Sequence, residues 1–122
     1  MNDLKWSNGD KQIARQAFKK AYDAECVELL AKVREMADQA REPGDLWQIH
    51  DFLDRERRQI GEKYDYRYSV LVLVFVRLVA EDRLTLNDLE GLSEDILSEI
   101  QRLVQLAREW TEHGQKRVEQ GR

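Results

Sequence analysis

The first forty residues of the chain carry apolar side chains at helical spacing. These side chains recur every three or four positions, which is the repeat of one helix face; they are Ala14, Phe18, Tyr22, Cys26, Leu29, Leu30, Val33, Met36 and Ala37. The pattern predicts a helix from about residue 11 to residue 40, ended by Glu42-Pro43-Gly44 because proline disfavours helix in the residue before it. Such a helix spans about 42 Å, whereas a compact chain of this length is only roughly 35 Å across. We therefore expect the helix to protrude or to be covered by a second chain.

The next segment predicts a helix with two distinct faces. It begins at Asp45, an N-cap with Gln48 as its capping-box partner, and it ends near Gly61. One stripe is apolar and is expected to face the core; it contains Leu46, Ile49, Leu53 and Ile60, with Phe52 at its edge. The second stripe lies about 100° away around the helix; it contains Trp47, His50, Asp51, Asp54 and Arg58, with Arg57 between the two stripes.

This second stripe allows three interpretations. The ordinary one is a solvated charged face, in which acids and arginines pair along the helix. A catalytic or metal-binding pair of His50 and Asp54 is weakly supported, because no nucleophile, phosphate-loop or metal-ligand motif accompanies it. A protein interface is favoured, because Trp47 is costly to leave in water and because Trp and Arg are enriched at binding hot spots. We therefore expect no enzyme activity, no metal and no cofactor.

An apolar run then extends from Val70 to Ala80, interrupted only by Arg77. Its β-branched residues would suit a buried strand, but the sequence offers no second strand to pair with it. Length therefore favours a buried helix from Tyr64 to Ala80. Arg77 either extends to the surface or forms a salt bridge with an acid of the last helix.

Capping patterns predict two further helices. Thr85 and Asp88 form a capping-box pattern for a short helix that ends at Gly91, and Ser93 opens the last helix. The last helix has an apolar stripe; it contains Ile96, Ile100, Leu103, Val104 and Ala107, with Trp110 near its end. The polar sequence of residues 111–122 predicts a flexible tail, which leaves residues 1–110 as a single all-α domain.

Composition narrows the class of protein. With 36% charged and 42% hydrophobic residues, a chain of 122 residues is expected to fold as one domain, and its net charge of −4 argues against nucleic-acid binding. The eleven residues 70–80 are too few for a bilayer span, which needs about 20. The N-terminus lacks the apolar segment of a signal peptide, and Cys26, the single cysteine, is expected to be a buried free thiol. These features indicate a cytoplasmic protein.

Three tyrosines lead into the apolar run, at Tyr64, Tyr66 and Tyr68. Stacking on nucleic acid is one interpretation, but the neighbouring Glu62 and Asp65 oppose it. We expect the rings to pack inside, with the hydroxyl groups at the rim of the fold.

Several of these motifs together resemble one protein family. The chain reads D-L-W-x-x-H-D-F-L from residue 45, G-x-K-Y-D-x-R from residue 61, S-V-x-x-x-V-F from residue 69 and, more weakly, F-x-K-A-Y from residue 18. This order, with Arg57 between the first two motifs, is similar to that of the cyanobacterial fluorescence recovery proteins over about residues 10–108. The resemblance implies an all-helical bundle dimer with a small helical head. It also implies a non-enzymatic regulator that binds the C-terminal domain of the activated orange carotenoid protein. The regulator accelerates the return of that protein to its resting orange form and so ends phycobilisome quenching.

The resemblance also implies which residues bind. Trp47, His50, Asp51 and Arg57 match positions in the family's dimer interface, and Asp54 shares their stripe. Residues expected to bind the partner lie in the head; they are Leu73, Phe75, Leu92 and Glu99. Of these, only Phe75 matches the family's aromatic pattern, since the family has Phe in place of Leu73, Phe-Leu in place of Gly91-Leu92 and Lys in place of Glu99. These departures leave a second hypothesis open, a helical homodimer scaffold that binds an unrelated protein.

Overall fold

Four α-helices and one short 3-10 helix make up the regular structure of the described chain. The computed structural model describes the backbone of residues 4–120 and the side chains of residues 4–111. The helices are α1 (Asn8–Gln39), α2 (Pro43–Lys63), α3 (Leu71–Ala80), the 3-10 helix (Leu86–Leu89) and α4 (Glu94–Gln120). Residues 4–120 contain no β-strand, so the predicted all-α class is confirmed.

Helix α1 begins three residues earlier than its apolar pattern predicts. Ser7 is the N-cap, and its hydroxyl accepts a hydrogen bond from the Asp10 amide at 3.0 Å. The Asp10 carboxylate in turn accepts one from the Ser7 amide at 3.0 Å, which completes a capping box. A reciprocal cap of this kind holds the first turn although Gly9 lies within it.

Helix α2 corrects the predicted N-cap at Asp45. The helix begins at Pro43, and Asp45 occupies the third helical position. Its carboxylate accepts hydrogen bonds from the amides of Arg41 at 2.9 Å and Glu42 at 3.0 Å. Pro43 fits the first position because an amide there has no partner within the helix to lose.

Helix α3 is shorter than the predicted helix from Tyr64 to Ala80. It begins at Leu71, and residues 64–70 form an irregular segment that lies against α1. Phe18 of α1 meets the rings of Tyr64 and Tyr66 edge-on, with ring centroids 5.4 and 4.8 Å apart. The Tyr66 hydroxyl donates to the Lys11 carbonyl at 3.4 Å. Ring packing on α1 thus holds this segment outside the helix.

The buried core gathers α3, α4 and the first half of α1 into a unit that we call the head, residues 8–25 and 64–104. The apolar side chains of α1 that are fully buried in this core are the small ones of Ala14, Ala17 and Ala21, which let the helices approach closely. Ile13 and Phe18 pack against the core and are partly buried. The largest fully buried apolar side chains are Leu71, Phe75, Leu78, Leu89, Ile96 and Ile100.

The remainder, residues 26–63, forms an antiparallel helical hairpin whose apolar stripe is not in a core. The stripe was predicted to be buried, yet Leu46 is 58% exposed and Leu53 is 42% exposed. In α2, all of which the structure describes, Lys63 is the only buried residue. Cys26 is half-buried, which corrects the expectation of a fully buried thiol. Within one chain the apolar face of the hairpin is therefore only partly buried.

Two further expectations are resolved by the structure. Arg77 reaches the surface and pairs with Glu81, an acid of the loop that follows its own helix, at 2.8 Å. Helix α4 continues to Gln120, so the backbone of residues 111–120 is helical. The flexibility expected for residues 111–122 stays a prediction. The side chains of residues 112–122, including His113, lie outside the described part.

None of the helices in the described part of the chain is both long enough and apolar enough to cross a bilayer.

Candidate functional site

The stripe predicted as an interface forms an open surface on α2. Spacings of three and four residues place its members on one side of the helix; they are Trp47, His50, Asp51, Asp54 and Arg57. Trp47 is 62% exposed, and its ring meets that of His50 edge-on with centroids 6.4 Å apart. A large aromatic ring held in water on a helix face is an unfavourable arrangement for a lone chain.

Charges on this stripe are only partly paired. Asp54 pairs with Arg58 one turn on, and the Nδ1 atom of His50 lies 3.2 Å from an Asp51 carboxylate oxygen. Among the described residues, Arg57 has no ion-pair partner. The carboxylate beside His50 is thus that of Asp51, whereas the catalytic or metal-binding interpretation considered a pair of His50 and Asp54. No group of three potential metal ligands occurs in residues 4–111.

An open groove runs between α1 and α2 beside the stripe. Its volume is about 380 Å³. Arg57 belongs to both surfaces, since it also lines the groove. The other lining residues are Tyr22, Cys26, Leu29, Leu53, Glu56, Ile60, Gly61 and Tyr64. The stripe and the groove therefore form one continuous face of the hairpin, which is mostly apolar in the groove and mostly charged along the stripe. Arg57 lies between the two parts.

The four residues expected to bind a partner in the head fall into two pairs. Leu73 is 60% exposed on the outer side of α3, while Phe75 on the same helix is completely buried. Leu92 is also buried. Glu99 is partly exposed on α4 and accepts a hydrogen bond from Arg102 at 2.7 Å, which lowers the pKa of its carboxyl group. Leu73 and Glu99 are therefore accessible to a partner, whereas Phe75 and Leu92 belong to the buried core of the head.

Helical spacing carried a signal for this division. Phe75 lies four residues after Leu71 and three before Leu78, and all three are buried. Leu73 lies between these positions and therefore points away from the core.

Comparison with known proteins places this molecule in a family. The chain matches the model of the "Photoprotection regulator fluorescence recovery protein" family over residues 6–104. The chain belongs to the fluorescence recovery protein family. This membership confirms the resemblance drawn from the sequence motifs, and the matched region includes every candidate residue of the hairpin and of the head.

Relatives of the fluorescence recovery protein family agree in sequence and in fold. The chain is similar to the fluorescence recovery protein of Synechocystis sp., with 41% identity over 101 residues, 83% of this chain and 93% of that protein. It is also similar to the solved structure of the Fremyella diplosiphon protein, at 42% identity and a TM-score of 0.76. The solved Synechocystis structure has 40% identity and the same TM-score. In both structural comparisons 83% of this chain and 99% of the other chain are covered.

An ionic cluster between the head and the hairpin was not found from the sequence. Lys63 donates to Glu25 at 2.8 Å and to Glu81 at 2.9 Å, and the Tyr64 hydroxyl donates to Glu25 at 2.8 Å. Arg83 pairs with Glu28 at 2.6 Å, and its Nε atom lies 3.1 Å from Glu25. One signal was present in the sequence, because Glu25 continues the helical spacing of the small buried residues Ala14, Ala17 and Ala21.

The cluster changes the acidity of its members. Burial, together with the Glu25 carboxylate, raises the pKa of the Tyr64 hydroxyl group. Burial opposes ionisation of Glu81, but hydrogen bonds from Lys63 and Arg77 outweigh it and lower the pKa of that carboxyl group. A hydrogen bond from Arg83 likewise lowers the pKa of the Glu28 carboxyl group.

Proposed function

We propose that this chain is a homodimeric, non-enzymatic regulator of photoprotection in the cytoplasm. It binds the C-terminal domain of the photoactivated orange carotenoid protein and accelerates its return to the resting orange form. Membership of the fluorescence recovery protein family carries this proposal, because the matched residues 6–104 include both candidate surfaces. Phycobilisome quenching then ends sooner.

Binding alone can accelerate such a return. A protein lowers the barrier to a conformational change when it binds the transition state more tightly than the starting state. A preference of about 1.4 kcal/mol corresponds to a tenfold faster return. A folded head that presents the same contacts each time suits this role, since it would hold the two parts of the partner near their closed arrangement.

Exposed apolar side chains on the hairpin support the proposed homodimer. Monomeric proteins rarely expose a continuous apolar patch larger than a few hundred Å². The hairpin of one chain leaves large apolar side chains exposed, and they are Val27, Leu30, Leu46, Trp47 and Leu53. A second copy that covers the groove and the stripe would remove Leu53 and Trp47 from water. The uncompensated Arg57 would then meet an acid of the partner copy, and Asp51 and Asp54 are the acids on the same stripe.

The head supports a separate surface for the carotenoid protein. Leu73 offers an apolar contact on α3, and Glu99 with Arg102 offers a charged rim on α4. Both lie outside the hairpin, so a dimer formed through α2 leaves them accessible. Phe75 and Leu92 belong to the core of the same head.

The deciding experiment measures the red-to-orange return in the dark. Purified chain is mixed with photoactivated orange carotenoid protein, and the decay of the red absorbance is followed. We expect a faster decay with the unchanged chain and a weaker effect with Leu73→Asp, because a charge replaces the apolar contact. Gln59→Asp adds the same charge at an exposed position of the hairpin and serves as the control. An unchanged decay rate with excess dimeric protein would refute the proposal.

The alternative is a dimeric scaffold for an unrelated protein partner. One observation favours it: Gly91 has a φ of 98°, and a Cβ atom added there would lie 2.7 Å from the Ile13 side chain. The aromatic residue that the family pattern has at this position would therefore not fit this head without a local shift. A stable dimer that leaves the red-to-orange return unchanged would favour the scaffold.

A further inference from the structure

The ionic cluster lies at the boundary where the head meets the hairpin. Glu25 is the last buried residue of α1, and Lys63 is the only buried residue of the fully described α2. Glu81 is the C-cap of α3, and Arg83 follows it in the loop. Three elements that are far apart in the sequence thus converge on one carboxylate–ammonium pair.

Fully buried apolar side chains do not extend across this boundary. After Glu25, the described residues of α1 contain no buried side chain, and neither does α2 before Lys63. The head core ends with the alanines of α1 on one side of the cluster. On the other side, the hairpin has only its half-buried groove. Helix α1 runs without a break from the head into the hairpin. The end of α2, in contrast, is held against the head mainly by charged groups and tyrosine contacts.

Acidic and basic side chains pair with one another in the cluster, and Glu25 lies at the centre of these pairs. One of its carboxylate oxygens accepts from Lys63 and the other from Tyr64, each at 2.8 Å. The Nε atom of Arg83 is buried and 3.1 Å from Glu25, but its geometry does not satisfy a hydrogen bond. Arg83 instead donates to Glu28 at 2.6 Å. Each cation of the cluster therefore has an acidic partner. Three side chains, those of Lys63, Tyr64 and Arg83, lie against the Glu25 carboxylate.

We propose that this cluster is a positioning joint that sets the angle between α2 and the head. Hydrogen bonds between buried charges have a narrow range of favourable geometry, whereas apolar surfaces can slide past one another. Buried ion pairs add little net stability compared with apolar replacements, and a register-setting role is their best-supported use. Lys63, held by acids from both α1 and α3, defines where the end of α2 lies on the head.

The consequence for activity rests on the function proposed above. The dimer surface lies on the hairpin and the carotenoid-protein surface lies on the head. The joint between them then determines how the two heads of a dimer are presented to their partner. Glu25 and Lys63 would be positioning residues, since neither is exposed enough to touch the partner.

Electron-spin distance measurements test the joint directly. Labels are placed at Gln48→Cys near the hairpin tip and at Gln101→Cys on α4, in a Cys26→Ala background. Excess unlabelled chain ensures that the dimers that carry labels contain only one labelled copy. Lys63→Met is expected to broaden the distance distribution about twofold, since the end of α2 is no longer held. Lys20→Met, which removes the exposed pair with Asp88 inside the head, is the matched control and is expected to leave it unchanged.

A second variant separates orientation from stability. Glu25→Gln combined with Lys63→Met leaves no unpaired charge at the centre of the cluster, so it is expected to fold even if Lys63→Met alone does not. The joint predicts a broad distribution for this folded double variant, and a distribution as narrow as that of the unchanged chain would overturn the proposal. The distances are measured without the carotenoid protein. A result that refutes the positioning joint can therefore be distinguished from a result that refutes the proposed function. The latter result would be no acceleration by the unchanged chain.

Discussion

Asp10 is the residue on which two helix ends of the head converge. Its carboxylate caps α1 through the Ser7 amide and also accepts from the Ser93 amide at 2.7 Å and the Ser93 hydroxyl at 2.5 Å, just before α4 begins. Burial alone would raise the pKa of Asp10, but the hydrogen bonds from Ser93 and Ser7 outweigh it and lower the pKa from 3.8 to about 2. One side chain therefore satisfies amides at two helix N-termini that are 83 residues apart in the sequence.

Replacement of this carboxylate should reduce stability in a pH-dependent way. Asp10→Asn is expected to lower the free energy of unfolding by about 2–3 kcal/mol at neutral pH, because it loses a cap and charged hydrogen bonds. The folded-state pKa lies below the unfolded value, so the stabilisation is present above pH 3.8 and is lost as the pH falls towards about 2. Urea unfolding at several pH values measures the difference between the two proteins.

That difference should shrink as the pH is lowered from 4 to about 2. Asp38→Asn changes an exposed acid of the same helix and is the control, with little effect expected at any pH. A difference between the unchanged chain and Asp10→Asn that stays constant over this range would contradict the assignment.

Helix α4 shows what sequence periodicity can and cannot predict for a single element. Its apolar stripe was correctly placed at Ile96, Ile100 and Val104, all of which are buried. The same periodicity continues to Trp110, which is 82% exposed. Helix α3 has only 10 residues, so the longer α4 extends beyond its packing partner. Spacing defines a face of a helix, but the length of the neighbouring helix decides how much of that face is buried.

Two substitutions in α4 measure this difference. Ile100→Ala is expected to destabilise the fold by about 2–5 kcal/mol, because it leaves a cavity in the head core. Trp110→Ala is expected to change stability by no more than about 0.5 kcal/mol, because little surface is buried there. Thermal and chemical unfolding of both variants provides the comparison. A large loss of stability in Trp110→Ala would mean that this end of α4 is covered in solution.

The irregular segment before α3 shows that local sequence preference can also predict a helix where the folded chain has none. Composition favoured helix from Tyr64 onward, but residues 64–70 are not helical. Their tyrosine rings find partners on α1, at Phe18 and Tyr22, and these contacts are between residues about forty positions apart. Local propensity could not reveal them, because tertiary packing overrides weak helix preference in a short segment.

At the scale of the whole molecule, the chain divides into a head with its own core and a hairpin without one. The sequence correctly indicated a first helix too long for a compact fold, since α1 has 32 residues. It wrongly assigned the apolar stripe of α2 to an internal core. Both observations are consistent with a hairpin that is completed by another copy.

Substitutions on the stripe should therefore weaken the proposed dimer. Arg57→Glu would bury a charge beside acids and is expected to raise the dimer dissociation constant about 100-fold or more, from a cost of about 3–5 kcal/mol. Trp47→Ala should act in the same direction through lost apolar contact. Light scattering at low micromolar concentration would report the mass. Gln59→Ala, on the other side of α2, is the control. A dimer mass that persists in Arg57→Glu would place the interface elsewhere.

The presence of the helices, their order and the candidate stripe on α2 could be predicted from the amino-acid sequence. These features depend on spacing, caps and breakers such as Pro43, which act over a few residues. The motifs also indicated the family. Which apolar faces are buried could be read only from the folded chain, since Leu53 and Phe75 look alike in a pattern but one is exposed and the other is buried. Tertiary structure alone brought Glu25, Lys63 and Glu81 together, because burial and charge pairing depend on segments that meet only after the chain has folded.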